Sequence, residues 1–132
     1  MFRMQVKKAL TVLVIDDEPS VRSAVSLILS KASMRVLQAE SAAEGRKLWT
    51  ENRAAIDLLL VDISMPQISG PELVYELARD GASLPVIFMT GLGRGDALEA
   101  TIGLPHFSIL QKPFAPQDLL NAIDNHCAMA VV

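Results

Sequence analysis

Five short apolar runs alternate with five longer amphipathic segments along this chain, and that rhythm leaves few folds open. The first run, Thr11–Ile15, is mostly β-branched and stops at Asp16, Asp17 and Glu18. Pro19 and Ser20 then open a stretch in which Val21, Val25, Ile28 and Leu29 recur at the spacing of one helix face. Met34–Gln38 is expected as a second strand. Ser41, with Glu44 three residues on, reads as the capping box of a second helix. A third strand is expected over Leu58–Val61, ending in Asp62. The turn-rich stretch Met65–Gly70 leads to Pro71 and a helix to about Arg79. Leu84–Met89 reads as a fourth strand ending in Thr90, followed by the glycine-rich stretch Gly91–Gly95 and a short helix to about Ile102. Phe107–Leu110 is the fifth strand, stopping before Lys112 and Pro113, and Pro116–His126 is the last helix.

Near-continuous apolar strands are what a parallel sheet covered on both faces requires. Five units are too few for an eightfold barrel. Right-handed crossovers then give an α/β, doubly wound (βα)5 open sandwich with a five-stranded parallel sheet of order 2-1-3-4-5. At 132 residues and 51% hydrophobic, the chain suffices for one core. The domain is expected over residues 10–127, between a lead-in at 1–9 and a tail at 128–132. A net charge of -3 gives no broad basic footprint, so direct nucleic-acid binding is not expected. No run approaches the roughly 20 apolar residues of a membrane span, and Met1–Lys8 is followed by no signal-type apolar region. The single cysteine, Cys127, excludes an intramolecular disulfide and disfavours a cysteine-based zinc site. A cytoplasmic location is the expectation.

The polar residues that interrupt the pattern share one address. Asp16, Asp17, Asp62, Thr90 and Lys112 all stand at or just past the C-terminal end of an expected strand. That edge is where open α/β sheets bind ligands. In the order 2-1-3-4-5, strands one and three are neighbours, so the three carboxylates meet in one crevice. Two carboxylates about 4 Å apart repel by roughly 4 kcal/mol at an effective dielectric of 20. A proton on one of them or a bound cation must offset that cost. A hard divalent ion such as Mg²⁺ suits oxygen donors of this kind. With a lysine and a hydroxyl in the same crevice, the parts needed to hold a phosphoryl group are assembled.

These residues carry a resemblance. Asp16-Asp17-Glu18, Asp62 within Asp62-Ile63-Ser64-Met65-Pro66-Gln67-Ile68-Ser69-Gly70, Thr90-Gly91 and Lys112-Pro113-Phe114 match, in order, the receiver domain of two-component response regulators. The resemblance implies that Asp62 is the phosphoacceptor and that Asp17 binds Mg²⁺ directly. It makes Asp16 a ligand acting through water and the Ser64 backbone carbonyl a further ligand. Thr90 closes on the phosphoryl oxygen, the Gly91 backbone contacts it, and Lys112 pairs with it across a cis Lys112–Pro113 bond. The partners implied are a cognate histidine kinase or phosphotransfer protein and an unknown output partner or missing output or kinase domain. The domain would catalyse only its own phosphorylation and dephosphorylation. The last expected helix ends near Cys127 with only five residues following, so the chain reads either as a stand-alone receiver or as one excised from a longer regulator.

Rival readings are weaker. An acidic turn at 16–18 could simply cap a helix, but that leaves Asp62 and Lys112 unexplained. A flavodoxin-like flavin carrier needs hydroxyl and glycine residues after strand one, where this chain places acids. An aspartate-nucleophile phosphatase puts its nucleophile after the first strand in Asp-x-Asp, which Asp16-Asp17-Glu18 does not match. Gly91-x-Gly93-x-Gly95 is not a full Gly-x-Gly-x-x-Gly and reads as a flexible loop. His106 and His126 have no metal-binding spacing.

Two further positions bear on signalling. The resemblance implies that Ser64 and Leu92 flank the path of hydrolytic water. Leu92 cannot orient water by hydrogen bonding, so slow self-dephosphorylation is expected. The aromatic residue common three positions before the lysine is here Ile109, which is stiff at χ1 and has no hydroxyl. The usual ring rotation is therefore not expected, and Phe107 begins its strand about 6.6 Å further back at roughly 3.3 Å per residue. Any signal would run through the Gly91–Gly95 loop, with a local change centred on residues 91–102.

Overall fold

The computed structural model describes residues 9–101, 103–104 and 107–130, with the side chains of residues 94 and 126–130 left aside. Most of the expected lead-in, His106 and the chain's last two residues lie outside that description, as do the side chains of His126 and Cys127.

The strands are β1 (Thr11–Ile15), β2 (Arg35–Ala39), β3 (Leu58–Asp62), β4 (Val86–Thr90) and β5 (Phe107–Gln111). Between and after them run α1 (Pro19–Lys31), α2 (Ala42–Asn52), α3 (Gly70–Arg79), α4 (Arg94–Ala100) and α5 (Pro116–Ala130). The sheet is parallel in the order β2-β1-β3-β4-β5, as the alternating pattern predicts.

Alternation along the strands divides the core in two. Leu13, Ile15, Leu59, Val61, Val86 and Phe88 face α2, α3 and α4 through Trp49, Leu73, Val74, Leu77 and Ala97. Val12, Val14, Leu58, Leu60, Ile87 and Met89 face α1 and α5 through Val25, Leu29, Leu119 and Ile123. Both layers are packed against β1, β3 and β4, which explains why those strands, Thr11 at the start of β1 aside, are apolar up to their ends.

Helix ends set the places where boundaries differ from the sequence reading. β2 starts at Arg35 rather than Met34 because α1 ends in a left-handed cap. Ser33 has φ 65°, its N–H donates to Ser30 O at 3.0 Å, and Met34 N–H donates to Leu29 O at 3.0 Å. Both bonds belong to the Schellman closure, which takes the Met34 amide away from the sheet. β4 starts at Val86, after Pro85, which has no N–H to give the ladder. At α2, Ser41 Oγ accepts from Glu44 N at 3.1 Å as expected, but Glu44 Oε1 accepts from Glu40 N rather than from Ser41. The reciprocal capping box occurs instead at α3, between Ser69 and Glu72. α5 continues past His126 to Ala130.

Gly70 joins this scaffold to the end of β3. Its N–H donates to Ile63 O at 2.8 Å, and a Cβ added there would collide with the Asp62 carbonyl oxygen. The obstacle is backbone, so it cannot swing aside. Gly70→Ala is expected to lower stability by about 1–3 kcal/mol through overpacking, seen as a lower urea midpoint. An unchanged midpoint would mean that α3 can move off β3 at no cost.

Candidate functional site

Adjacent strands deliver two of the acids. β1 lies beside β3 with Ile15 opposite Val61, so the residues that follow, Asp16 and Asp62, are neighbours. Asp16 N–H donates to Ala39 O at 3.1 Å, extending the ladder by one residue. Asp16 Oδ1 then accepts from Glu18 N at 2.9 Å, a local turn that starts the chain toward α1. Arg22, one turn into α1, donates through Nη1 to Asp16 O at 2.6 Å and fixes that backbone from the helix side. Asp16 is fully buried, whereas Asp17 faces solvent. Asp62 is buried too, and its Oδ1 accepts from Ser64 N at 3.1 Å. One carboxylate oxygen from each of Asp16, Asp17 and Asp62 lies within 4.8 Å of the others.

Lys112 reaches this group from beyond β5. Its own N–H donates to Thr90 O at 2.7 Å, and the Lys112–Pro113 bond is cis, as the resemblance implies. The ammonium lies 3.0 Å from Asp16 Oδ2, 3.2 Å from Glu18 Oε1 and 3.4 Å from Asp62 Oδ2. Thr90 is buried at the end of β4, and its Oγ1 accepts from Leu92 N at 2.8 Å.

The charges do not balance. Burial and the negative charge of Asp16 push the Asp62 carboxyl up to about 6, although the Ser64 amide and Lys112 oppose the rise. Burial works against the Lys112 ammonium as well. The hydrogen bond to Asp16 and the charges of Asp62 and Asp16 outweigh it, leaving its pKa above the ordinary lysine value. One lysine among three carboxylates and Glu18 leaves net negative charge in a partly buried place. The donor set is all oxygen and close-spaced, so a small hard cation fits the chemistry.

The strand-end residues singled out in the sequence therefore converge: Asp16, Asp17, Asp62 and Lys112 in one group, and Thr90 on the next strand end. Gly91 is exposed, and a Cβ added there would meet nothing within 4 Å. Ser64 enters through its backbone amide. Sequence reasoning missed the contact of Glu18 with Lys112, that of Arg22 with the Asp16 carbonyl, and a bond from Gln111 Nε2 to Leu92 O at 2.7 Å. The first two had a signal, since Glu18 adjoins the acid pair and Arg22 lies one turn beyond it. Gln111 had none, because its reach depends on the loop after β4.

A doubly wound sandwich whose acidic crevice is bridged by a lysine from the fifth strand end defines a signalling class, that of the CheY-like receivers. The chain belongs to the response regulator receiver domain family, whose model matches residues 12–124. It is 33% identical over 121 residues to the transcriptional regulatory protein TdiR of Thauera aromatica, covering 92% of this chain and 52% of TdiR. It is 31% identical to a 14.6 kDa protein from the sodA1 3′ region of Leptolyngbya boryana, covering 94% of this chain and 95% of that one. Among solved structures, a response regulator receiver domain protein from Clostridium thermocellum superposes with a TM-score of 0.83 at 33% identity, covering 92% and 96% of the two chains. The chain thus spans about half the length of TdiR.

Proposed function

We propose that this receiver takes a phosphoryl group onto Asp62 from a histidine kinase or phosphotransfer protein, with Mg²⁺ in the acidic crevice, and signals to a partner or attached domain. The observation that carries the reading is the Lys112 ammonium bridging Asp16 and Asp62 beside the exposed Asp17. The functional unit is residues 10–127, and it works in the cytoplasm. Among the described residues, no helix is long and apolar enough to cross a membrane.

An ionised Asp62 oxygen attacks phosphorus, the bond from phosphorus to the donor breaks, and the donor leaves with that electron pair. Asp16, Asp17, Asp62 and the Ser64 carbonyl would hold Mg²⁺, which offsets charge as the phosphoryl group arrives. Lys112 moves from the carboxylates to a phosphoryl oxygen. The Thr90 hydroxyl and the Gly91 N–H donate to the others. The domain turns over no external substrate beyond its own phosphoryl group. Incubation with acetyl phosphate and Mg²⁺ is expected to add one phosphoryl group per chain, and a chelator to prevent it. Addition that persists undiminished in chelator would overturn the metal's role.

Leu92 is half-buried and packs on the α2–α3–α4 side of the core, and no polar atom of its side chain can orient water. Self-dephosphorylation is accordingly slow. Leu92→Glu places a carboxylate where the core cannot keep it, turning it toward the loop's open side. Phosphate release should change several-fold in that variant, measured by loss of the acyl phosphate over time. An unchanged rate would show that position 92 does not face the water path.

Ile109 lies opposite Phe88 and is half-buried against the same side of the core. It has neither a ring to rotate nor a hydroxyl to pair. Movement of Thr90 is therefore relayed through residues 91–102 rather than by a side-chain rotation in β5.

A further inference from the structure

The loop after β4 is held at one residue by two separate anchors. Leu92 N–H donates to Thr90 Oγ1 at 2.8 Å, and Leu92 O accepts from Gln111 Nε2 at 2.7 Å. Gln111 is itself fixed, because it pairs with Thr90 at the end of the β4–β5 ladder. Leu92 thus sits between Gly91 and Gly93, neither of which has anything within 4 Å of an added Cβ. The arrangement is a pinned residue between two open hinges, where backbone rotation meets no side-chain obstacle.

We propose that Gln111 is a positioning residue that latches the β4–α4 loop in its unphosphorylated arrangement, acting through Leu92 on Thr90. This inference rests on the phosphoacceptor reading of the site. Thr90 Oγ1 accepts from Leu92 N–H, so a hydroxyl that turns to donate toward a phosphoryl group must release that amide or carry it along. The Gln111 side chain resists the second route by holding the carbonyl of the same residue. Ile109 supplies no aromatic switch, and this side-chain bond ties β5 to the moving loop. Its loss favours the rearranged loop. A single exposed hydrogen bond is worth about a 2- to 10-fold population shift, and Gln111 is exposed.

The test compares wild type with Gln111→Ala and Gln111→Glu; the second keeps the length but sets a carboxylate against the Leu92 carbonyl. Neither change touches the core. The first arm is amide hydrogen exchange without any phosphoryl mimic. Exchange at residues 91–95 is expected to be about 2- to 10-fold faster in both variants, with β1 and β3 unchanged. The second arm is binding of beryllium fluoride in Mg²⁺, expected to tighten by a similar factor in Gln111→Ala. A merely structural residue would weaken that binding or leave it alone. Unchanged exchange at 91–95, or acceleration spread over the whole sheet, overturns the latch. So does unchanged or weaker binding in Gln111→Ala when the wild type does bind the mimic. Failure of the wild type itself to bind strikes the phosphoacceptor reading, and the exchange arm still decides on the latch.

Discussion

Asp62→Asn is expected to take up no phosphoryl group and, in metal-free buffer at pH 7, to be more stable than the wild type. The first effect follows from chemistry, since an amide nitrogen or oxygen at that position is no nucleophile for phosphorus under these conditions. The second follows from the crowding of carboxylates. Burial and Asp16 raise the Asp62 carboxyl from 3.8 to about 6. A carboxyl whose folded pKa is raised favours folding while protonated, and that contribution disappears as pH climbs through the folded value. At pH 7 the ionised Asp62 therefore burdens the native state, by about 1–3 kcal/mol. Asparagine removes the burden and keeps the shape, while Lys112 retains Asp16 and Glu18 as partners. The advantage of Asp62→Asn should be full above about pH 6 and vanish below about pH 4. Urea unfolding at pH 4 and pH 7 checks it. A variant less stable than wild type at pH 7 would mean that the Lys112 contact outweighs the repulsion.

The second large effect concerns the metal. Asp17 is the exposed member of the carboxylate group, so it contributes little to the core and much to an incoming cation. Asp17→Ala is expected to weaken Mg²⁺ binding by about 100-fold, on the order of 2.7 kcal/mol. A ligand at about 100 times its Kd stabilises the native state by roughly 2.7 kcal/mol. Saturating Mg²⁺ should thus raise the wild-type melting temperature clearly and the variant's hardly at all. Without metal the variant should melt at the same temperature or slightly higher, because one repelling charge is gone. Equal Mg²⁺ shifts in both proteins would remove Asp17 from the ligand set.

The frame of the molecule was legible because its strands obey one rule. Residues such as Leu58–Val61 are buried on both faces, so each is apolar, and the first polar residue after them marks the crevice. Asp62 and Thr90 prove to be the last residues of their strands, and Asp16 directly follows its own. What escaped the reading lies where one backbone bond decides between two elements. Met34 looks like a strand residue, but its amide closes α1. Ser69 and Glu72 form the reciprocal cap that seemed to belong to Ser41 and Glu44, because Glu44 reaches one residue too far back. Within the site, residue types and strand ends identified the acids and Lys112. The bond made by Gln111 depends on where a loop comes to rest, which no spacing encodes.

Identification of the modified residue is the most direct test of the central assignment. Wild-type protein treated with acetyl phosphate and Mg²⁺ is reduced with borohydride, which converts an aspartyl phosphate to homoserine, and its peptides are mapped by mass spectrometry. Homoserine at position 62, absent when Mg²⁺ is withheld, is the predicted result. Homoserine at Asp16 or Asp17 with Asp62 intact would contradict the assignment.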